Sequence, residues 1–206
     1  MLMRESHREM GATANQQGAI VIYMVDHVYT DPTTEPAWND WYAANIGYLL
    51  TVPGVNGVQR FKAIGQKTSR YLSMYSLDSG DIFKSPKYKE VQGGGAQSVQ
   101  FHFAYGHWTR NLFDGAKDAP EIHLGQRVYV VDSETPEKDL DAPEGLKPLW
   151  LKATPGLPGS TPYAAQKLSS TPYRAVIVLD KGIAQGNLGV NGGYIYEPIT
   201  PVVRPQ

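Results

Sequence analysis

The sequence contains no cysteine. That excludes disulfides, thiolate zinc sites and cysteine nucleophiles, and it leaves the compartment open, with cytoplasm as the default reading. No stretch approaches the ~18 apolar residues of a membrane span. The formal net charge is −1, so the chain has no electrostatic footprint for nucleic acid or an anionic membrane. Phosphate-binding and hydrolase signatures are missing too. "QGGGAQS" (92–98) lacks the Gly-Lys-Ser/Thr ending of a phosphate loop, and "QGNLGVNGG" has no strand before it or helix after it. There is no Gly-x-Ser-x-Gly elbow. The five histidines have no ligand spacing beside acids, so neither a metal nor a cofactor is expected.

What is present is a chain of 206 residues, 41% hydrophobic and 19% charged, able to bury a core. Residues 1–18 are polar, lack an apolar signal-peptide core and read as a mobile arm. "AIVIYMVDHVY" (19–29) reads as a buried strand. After "DPTTEP", Trp38, Trp41, Tyr42, Asn45, Leu49 and Val52 fall on one face of a helix that Pro53-Gly54 ends. Strands at 57–65 and 70–78 follow, joined by a turn at "QKTS". A short helix over 81–92 should break at Pro86, and "SVQFHFAYGHW" (98–108) alternates like a fourth strand. The order β-α-β-β-α-β is that of a ferredoxin-like unit.

The second half echoes the first. "YMVDH" (23–27) matches "YVVDS" (129–133) at an offset of 106, and "TVPG" (51–54) matches "ATPG" (153–156) at 102. Tyr71/Tyr173, Asp78/Asp180 and Gly80/Gly182 share the offset of 102. The expected organisation is an arm (1–18), a first ferredoxin-like repeat (19–115) and a degenerate second one (116–206) with a reduced first helix. "GIAQGNLGVNGG" (182–193) holds too much glycine for a firm helix. The fold class is α+β, two tandem sheets packed into an α/β barrel.

The block "WNDWYAAN…LLTVPGV…QRF…SRYLSMYSLDS…IFKSPKY" resembles the dimeric α/β-barrel superfamily, in particular its EthD-like bacterial members, over residues 20 to about 110. The resemblance implies the barrel. It covers several activities: cofactor-independent monooxygenases, polyketide cyclases, isomerases, aromatic-catabolism lyases and haem enzymes. Where many relatives carry His after Trp-Tyr, this chain has Asn45. No haem-ligand signature stands out.

Strand alternation sorts the side chains. Ile20, Ile22 and Met24 oppose Tyr23, His27 and Tyr29; Leu72 and Met74 oppose Tyr71, Ser73 and Tyr75; Phe101, Phe103 and Tyr105 oppose Gln100 and His102; Arg60 shares a face with Lys62. The ferredoxin-like spatial order 4-1-3-2 lines up Gln100 and His102, Tyr23 and His27, Ser73 and Tyr75, then Arg60 and Lys62. The apolar faces should meet between the halves, with the polar band under the helices, facing Asn45. At the offset of 102, Arg60, Lys62, Ser73 and Tyr75 become Pro162, Ala164, Ala175 and Ile177, which puts the site in the first half.

The expected site uses His102, Arg60, Tyr75 and Asn45 for chemistry. His102 or a tyrosine acts as acid/base, and Arg60 and Asn45 stabilise an oxyanion. Tyr23, Tyr48, Trp41, Tyr71, Ser73, Lys62 and Trp108 line the substrate. Each has a plain structural reading beside this one: a core amide for Asn45, a neighbour-bonded strand histidine for His102, sheet aromatics for the tyrosines, and an ion pair with Asp26 or Asp78 for Arg60. His27 reads as a strand-end residue, and His107, Trp108 and Arg110 as a rim. With 13 Tyr and 4 Trp, a small aromatic substrate fits. The expected function is a cofactor-independent lyase or isomerase of aromatic catabolism. A cofactor-free monooxygenase or cyclase, and a non-catalytic binding or stress-related barrel, are the alternatives. A homodimer is expected, with the tail "EPITPVVRPQ" docked on a neighbour.

Overall fold

The computed structural model describes residues 21–91, 95–136, 146–154, 166–168, 172–180, 182 and 192–206. The expected N-terminal arm, the glycine-rich stretch after Gly182, Pro162 and Ala164 lie outside these.

Nine strands are described: β1 (Val21–Tyr29), β2 (Val55–Ala63), β3 (Ser69–Leu77), β4 (Tyr105–Asp114), β5 (Gln126–Ser133), β6 (Leu149–Thr154), β7 (Gln166–Leu168), β8 (Tyr173–Asp180) and β9 (Tyr194–Pro198). Eight of them run in the order β1-β3-β2-β9-β5-β8-β6-β4, and β4 pairs back onto β1. Every pairing in this ring is antiparallel, so the barrel closes and buries its edges. The short β7 adds in parallel to β4. The fold is α+β, as the residue pattern and the resemblance both implied.

The first half has strand order β4-β1-β3-β2 and the second β9-β5-β8-β6, each the ferredoxin-like 4-1-3-2. Their central strand pairs, β1–β3 and β5–β8, share a register. Tyr23 faces Tyr75 and Asp26 faces Leu72, while Tyr129 faces Ile177 and Asp132 faces Arg174. These are the pairs that the offsets of 106 and 102 require. The Pro-Gly correspondence fails, however. Pro53-Gly54 precedes β2, whereas Thr154 ends β6. The residue of β6 that faces Ala175 is Trp150, as Arg60 faces Ser73. The position answering Arg60 is therefore Trp150, not Pro162.

The core follows from alternation. Even-numbered β1 residues point into the barrel, where Ile22, Met24, Phe61, Leu72, Met74 and Phe113 meet Val128, Val130, Leu151, Val176 and Tyr196. Each large apolar side chain buried here contributes about 1.5–3 kcal/mol. Odd-numbered β1 residues point out under helix α1 (Glu35–Leu49). That helix starts on Glu35-Pro36, has Pro in its first turn and buries Trp38, Tyr42, Asn45, Ile46 and Leu49. Past its end, Gly54 takes φ 90°, where an added Cβ would lie 3.0 Å from Ile82 Cδ1. A 3-10 turn (Gly80–Lys84) and helix α2 (Pro86–Val91) complete the cover, broken at Pro86 as expected.

One element departs from expectation. Residues 98–104 are not strand; Gly95–Ser98 and Val99–Ala104 form helical turns, and β4 begins only at Tyr105. Ser98, Phe101 and Ala104 are buried, a spacing of three that suits 3-10 geometry. In the tail, Ile199 N–H donates to the Arg60 carbonyl and Val203 N–H to the Val58 carbonyl, both at 2.9 Å, so this segment lies along β2.

Candidate functional site

Cross-strand register assembles the outer face of the first sheet into three rows. They are Leu112–Tyr23–Tyr75–Val58, Arg110–Val25–Ser73–Arg60 and Trp108–His27–Tyr71–Lys62. The expected band is therefore real and lies under α1, but β4 supplies Arg110 and Trp108 where Gln100 and His102 were expected. The alternation of 98–104 concealed this. The sequence pattern gives Arg110 only a rim position.

Arg60 is 2% exposed. Its Nη2 donates to Asn39 Oδ1 at 2.8 Å, and its guanidinium lies 4.1 Å from the Tyr42 ring centre, with Trp38 and Tyr71 at 5.3 and 5.5 Å. Its Nε has no partner, and no carboxylate among the described residues pairs with it. Burial lowers its pKa against the pull of the surrounding phenols. The two acids expected as its structural partners are elsewhere. Asp26 accepts from Arg70 Nη1 at 2.6 Å and from the Tyr196 hydroxyl at 3.0 Å, and Asp78 accepts from Asn56 at 2.7 Å. A buried guanidinium with neutral neighbours is costly unless an anion joins it.

The nearest acid network stops one residue short of Arg60. Glu35 accepts from Lys62 Nζ at 2.7 Å, from Ser69 Oγ at 2.9 Å and from the Tyr71 hydroxyl. Burial opposes its ionisation, but these bonds outweigh it and hold the carboxyl below its ordinary range. Asn39 Nδ2 donates to the Tyr71 oxygen at 3.1 Å, so an amide stands between Glu35's partners and Arg60. Lys62 is thereby an ion-pair partner at the edge of the band rather than a lining group. Asn39 had no signal in the apolar stripe, being off its face.

His27 is 3% exposed and sits within the band, not at a strand end. Its ring stacks on Trp108 at 5.3 Å and meets Trp38, Tyr42 and Tyr105 edge-on at 5.5, 5.6 and 5.3 Å. Its nitrogens make no hydrogen bond among the described residues. Burial, with the Arg60 charge adding to it, pushes its pKa well below the usual range, so the ring is a neutral imidazole near pH 7. Burial pushes the Tyr23 and Tyr75 phenols up. They are hydrogen-bonding groups, not phenolates. Ser73 Oγ donates to the Tyr42 oxygen at 3.1 Å.

Asn45 is buried in α1, and its side-chain amide makes no hydrogen bond among the described residues. The reading of a self-satisfied core amide thus finds no partner. His102 lies in the 3-10 turn, half-buried, with Nε2 2.9 Å from Ser98 Oγ and its ring 5.0 Å from Tyr105 and 6.3 Å from Trp108. It flanks the band from the loop and is not in a row. Trp41 packs on Tyr42 and Phe101, each at 5.7 Å, outside the rows. Tyr48 is 57% exposed, on the solvent side of α1, and lines nothing. Among the described residues no three His, Asp or Glu side chains gather as metal ligands.

No protein-family model matches the chain, and no curated protein matches it. Solved structures do. An "anthrone oxidase-like protein" matches with a TM-score of 0.56 at 11% identity, covering 92% of this chain and 94% of its own. A putative monooxygenase from Fusobacterium nucleatum subsp. nucleatum matches at 0.55 and 10% identity, covering 91% and 95%. A putative monooxygenase from Lactobacillus acidophilus NCFM matches at 0.51 and 5% identity, covering 90% and 97%. These likenesses are of fold. They agree with the α/β barrel that the residue pattern implied.

Proposed function

We propose that the chain is a cofactor-independent enzyme whose first step removes a proton from a small phenolic or enolic aryl compound, the reaction continuing as a lyase or isomerase. The observation that carries this is Arg60: buried, without a carboxylate, and with Nε unpartnered. A phenolate or enolate oxygen supplies the missing charge, and the Asn45 amide adds a second hydrogen bond to it. His27, neutral and near enough for the Arg60 charge to act on it, replaces His102 as the acid/base group. Arg60 favours the anionic product of that proton transfer. Tyr23, Tyr75, Tyr71, Ser73 and Trp108 supply an aromatic wall with few polar groups. A non-catalytic barrel would need Arg60 tied to an internal acid, and Asn39 stands there instead.

The second reading is a cofactor-free monooxygenase. It is supported by the names of the structural neighbours, and it shares the same first step, since only an electron-rich anion reduces oxygen unaided. The common register of the β1–β3 and β5–β8 pairs supports an origin by duplication. Homodimerisation is a further part of the proposal, checked by light scattering.

Arg60→Ala tests the core reading. Turnover or phenol binding is lost while the melting temperature holds within a few degrees; a collapse in stability with binding intact refutes it. Running turnover without oxygen separates the two chemistries. Persistence supports the lyase or isomerase, and loss supports the oxygenase.

A further inference from the structure

Arg60 has a counterpart that the proposed reaction does not use. Arg110 occupies the same cross-strand row, with Val25 and Ser73 between them. It is 6% exposed. Its Nε donates to the Tyr23 hydroxyl at 2.6 Å, and its guanidinium lies 5.5 and 5.6 Å from the Tyr23 and Phe83 ring centres. Tyr88 is close enough for its phenol to feel the charge. Nη2 is buried and has no partner, and no carboxylate among the described residues pairs with Arg110. One row thus buries two guanidiniums among aromatic rings and neutral hydrogen-bonding groups. Phenols whose pKa burial has raised stay neutral and cannot balance either charge.

The two cations contact different rings, although both sense the Tyr42 phenol. Arg60 turns toward Tyr42, Trp38 and Tyr71, and Arg110 toward Tyr23 and Phe83. Three strand spacings separate their Cα atoms, roughly 14 Å. Each cation has its own set of rings and its own unpartnered nitrogen, Arg60 Nε and Arg110 Nη2. We infer that the substrate is an aryl compound with two acidic oxygen groups at opposite ends, a phenol or enol held by Arg60 and a carboxylate, or a second ionised oxygen, held by Arg110 with the Tyr23 hydroxyl. This rests on the reading of Arg60 given above. Arg110 then orients the ring and sets specificity, while the proton leaves at the Arg60 end.

Calorimetric titration of the full chain with three probes tests it: 2-naphthol, 6-methoxy-2-naphthoate and 6-hydroxy-2-naphthoate. The hydroxynaphthoate binds at least tenfold more tightly than either single-group probe. Arg110→Gln removes that advantage and leaves 2-naphthol unchanged. Equal affinities for the three probes in the unmutated protein overturn the inference, with no variant needed. So does an Arg110→Gln variant that weakens all three alike, the outcome of a structural arginine. Arg60→Gln serves as the separate arm. If it leaves 2-naphthol binding untouched, the reading of Arg60 fails. A carboxylate advantage that Arg110→Gln still abolishes then upholds the Arg110 site by itself.

Discussion

Arg60 donates to Asn39 Oδ1 at 2.8 Å, an amide where a carboxylate would fit. The pair differs from an ion pair by one functional group, and that difference leaves the cation's charge uncompensated. Asn39→Asp closes the gap. The new carboxylate neutralises Arg60, so phenolate binding falls tenfold or more while thermal stability holds or rises. Titration with 2-naphthol beside a melting curve checks both halves. Stability matters here because a ligand anion and an internal acid compete for the same guanidinium.

His27 predicts a pH dependence of stability. Its folded pKa lies well below the unfolded value because burial disfavours the imidazolium and Arg60 repels it. Below about pH 6.5 the unfolded chain binds a proton that the folded one refuses. The stabilisation is therefore complete above pH 6.5 and is lost as pH falls toward the folded pKa, by up to about 1.4 kcal/mol per pH unit. Asp26, whose folded pKa is raised first by burial, pulls the other way, and His102 adds a smaller loss of the same sign as His27. Both terms cancel in the difference between the protein and His27→Gln. Denaturant melts from pH 7.5 to 5 should show that difference shrinking as pH falls. A difference that is flat with pH means that His27 protonates freely.

Lys62 and Tyr48 serve as counter-tests of the band. Lys62 is partly exposed and bonded to Glu35, so Lys62→Ala costs under about 1 kcal/mol and leaves 2-naphthol affinity within twofold. Tyr48→Ala, on the solvent face, changes neither stability nor affinity measurably. A strong affinity loss in either variant would move the site outward from Arg60.

Much of this arrangement is legible in the sequence. Period-two alternation separated Met24 and Met74 from Tyr23 and Tyr75, and the 4-1-3-2 order carried those faces into one band under Asn45. Three things were hidden. Arg110 reads as a rim residue because the alternation of 98–104 extends the fourth strand seven residues too far, and His27 reads as a strand end although Trp108 pairs opposite it within the sheet. Trp150 is not the counterpart of Arg60 at an offset of 102, because Val52-Pro53-Gly54 precedes β2 whereas Thr154, which aligns with Val52, closes β6. Asn39 was hidden because a side chain beside the apolar stripe can still reach inward along the helix flank.

The misread stretch also yields a discriminating experiment. As a strand, 98–104 would place Phe101 and Phe103 on one face, and their truncations would cost similar amounts. As a 3-10 turn it separates them. Phe101 is buried against Trp41, while Phe103 is 68% exposed. Phe101→Ala should then cost about 3 kcal/mol or more, and Phe103→Ala should stay within about 0.5 kcal/mol. The contrast matters for function as well, because the same turn sets His102 beside Tyr105 and Trp108, at the flank of the site. Loosening it through Phe101 should weaken 2-naphthol binding through Trp108, while Phe103→Ala leaves binding unchanged. Equal stability losses in the two variants, measured by urea melts, would return the segment to the sheet.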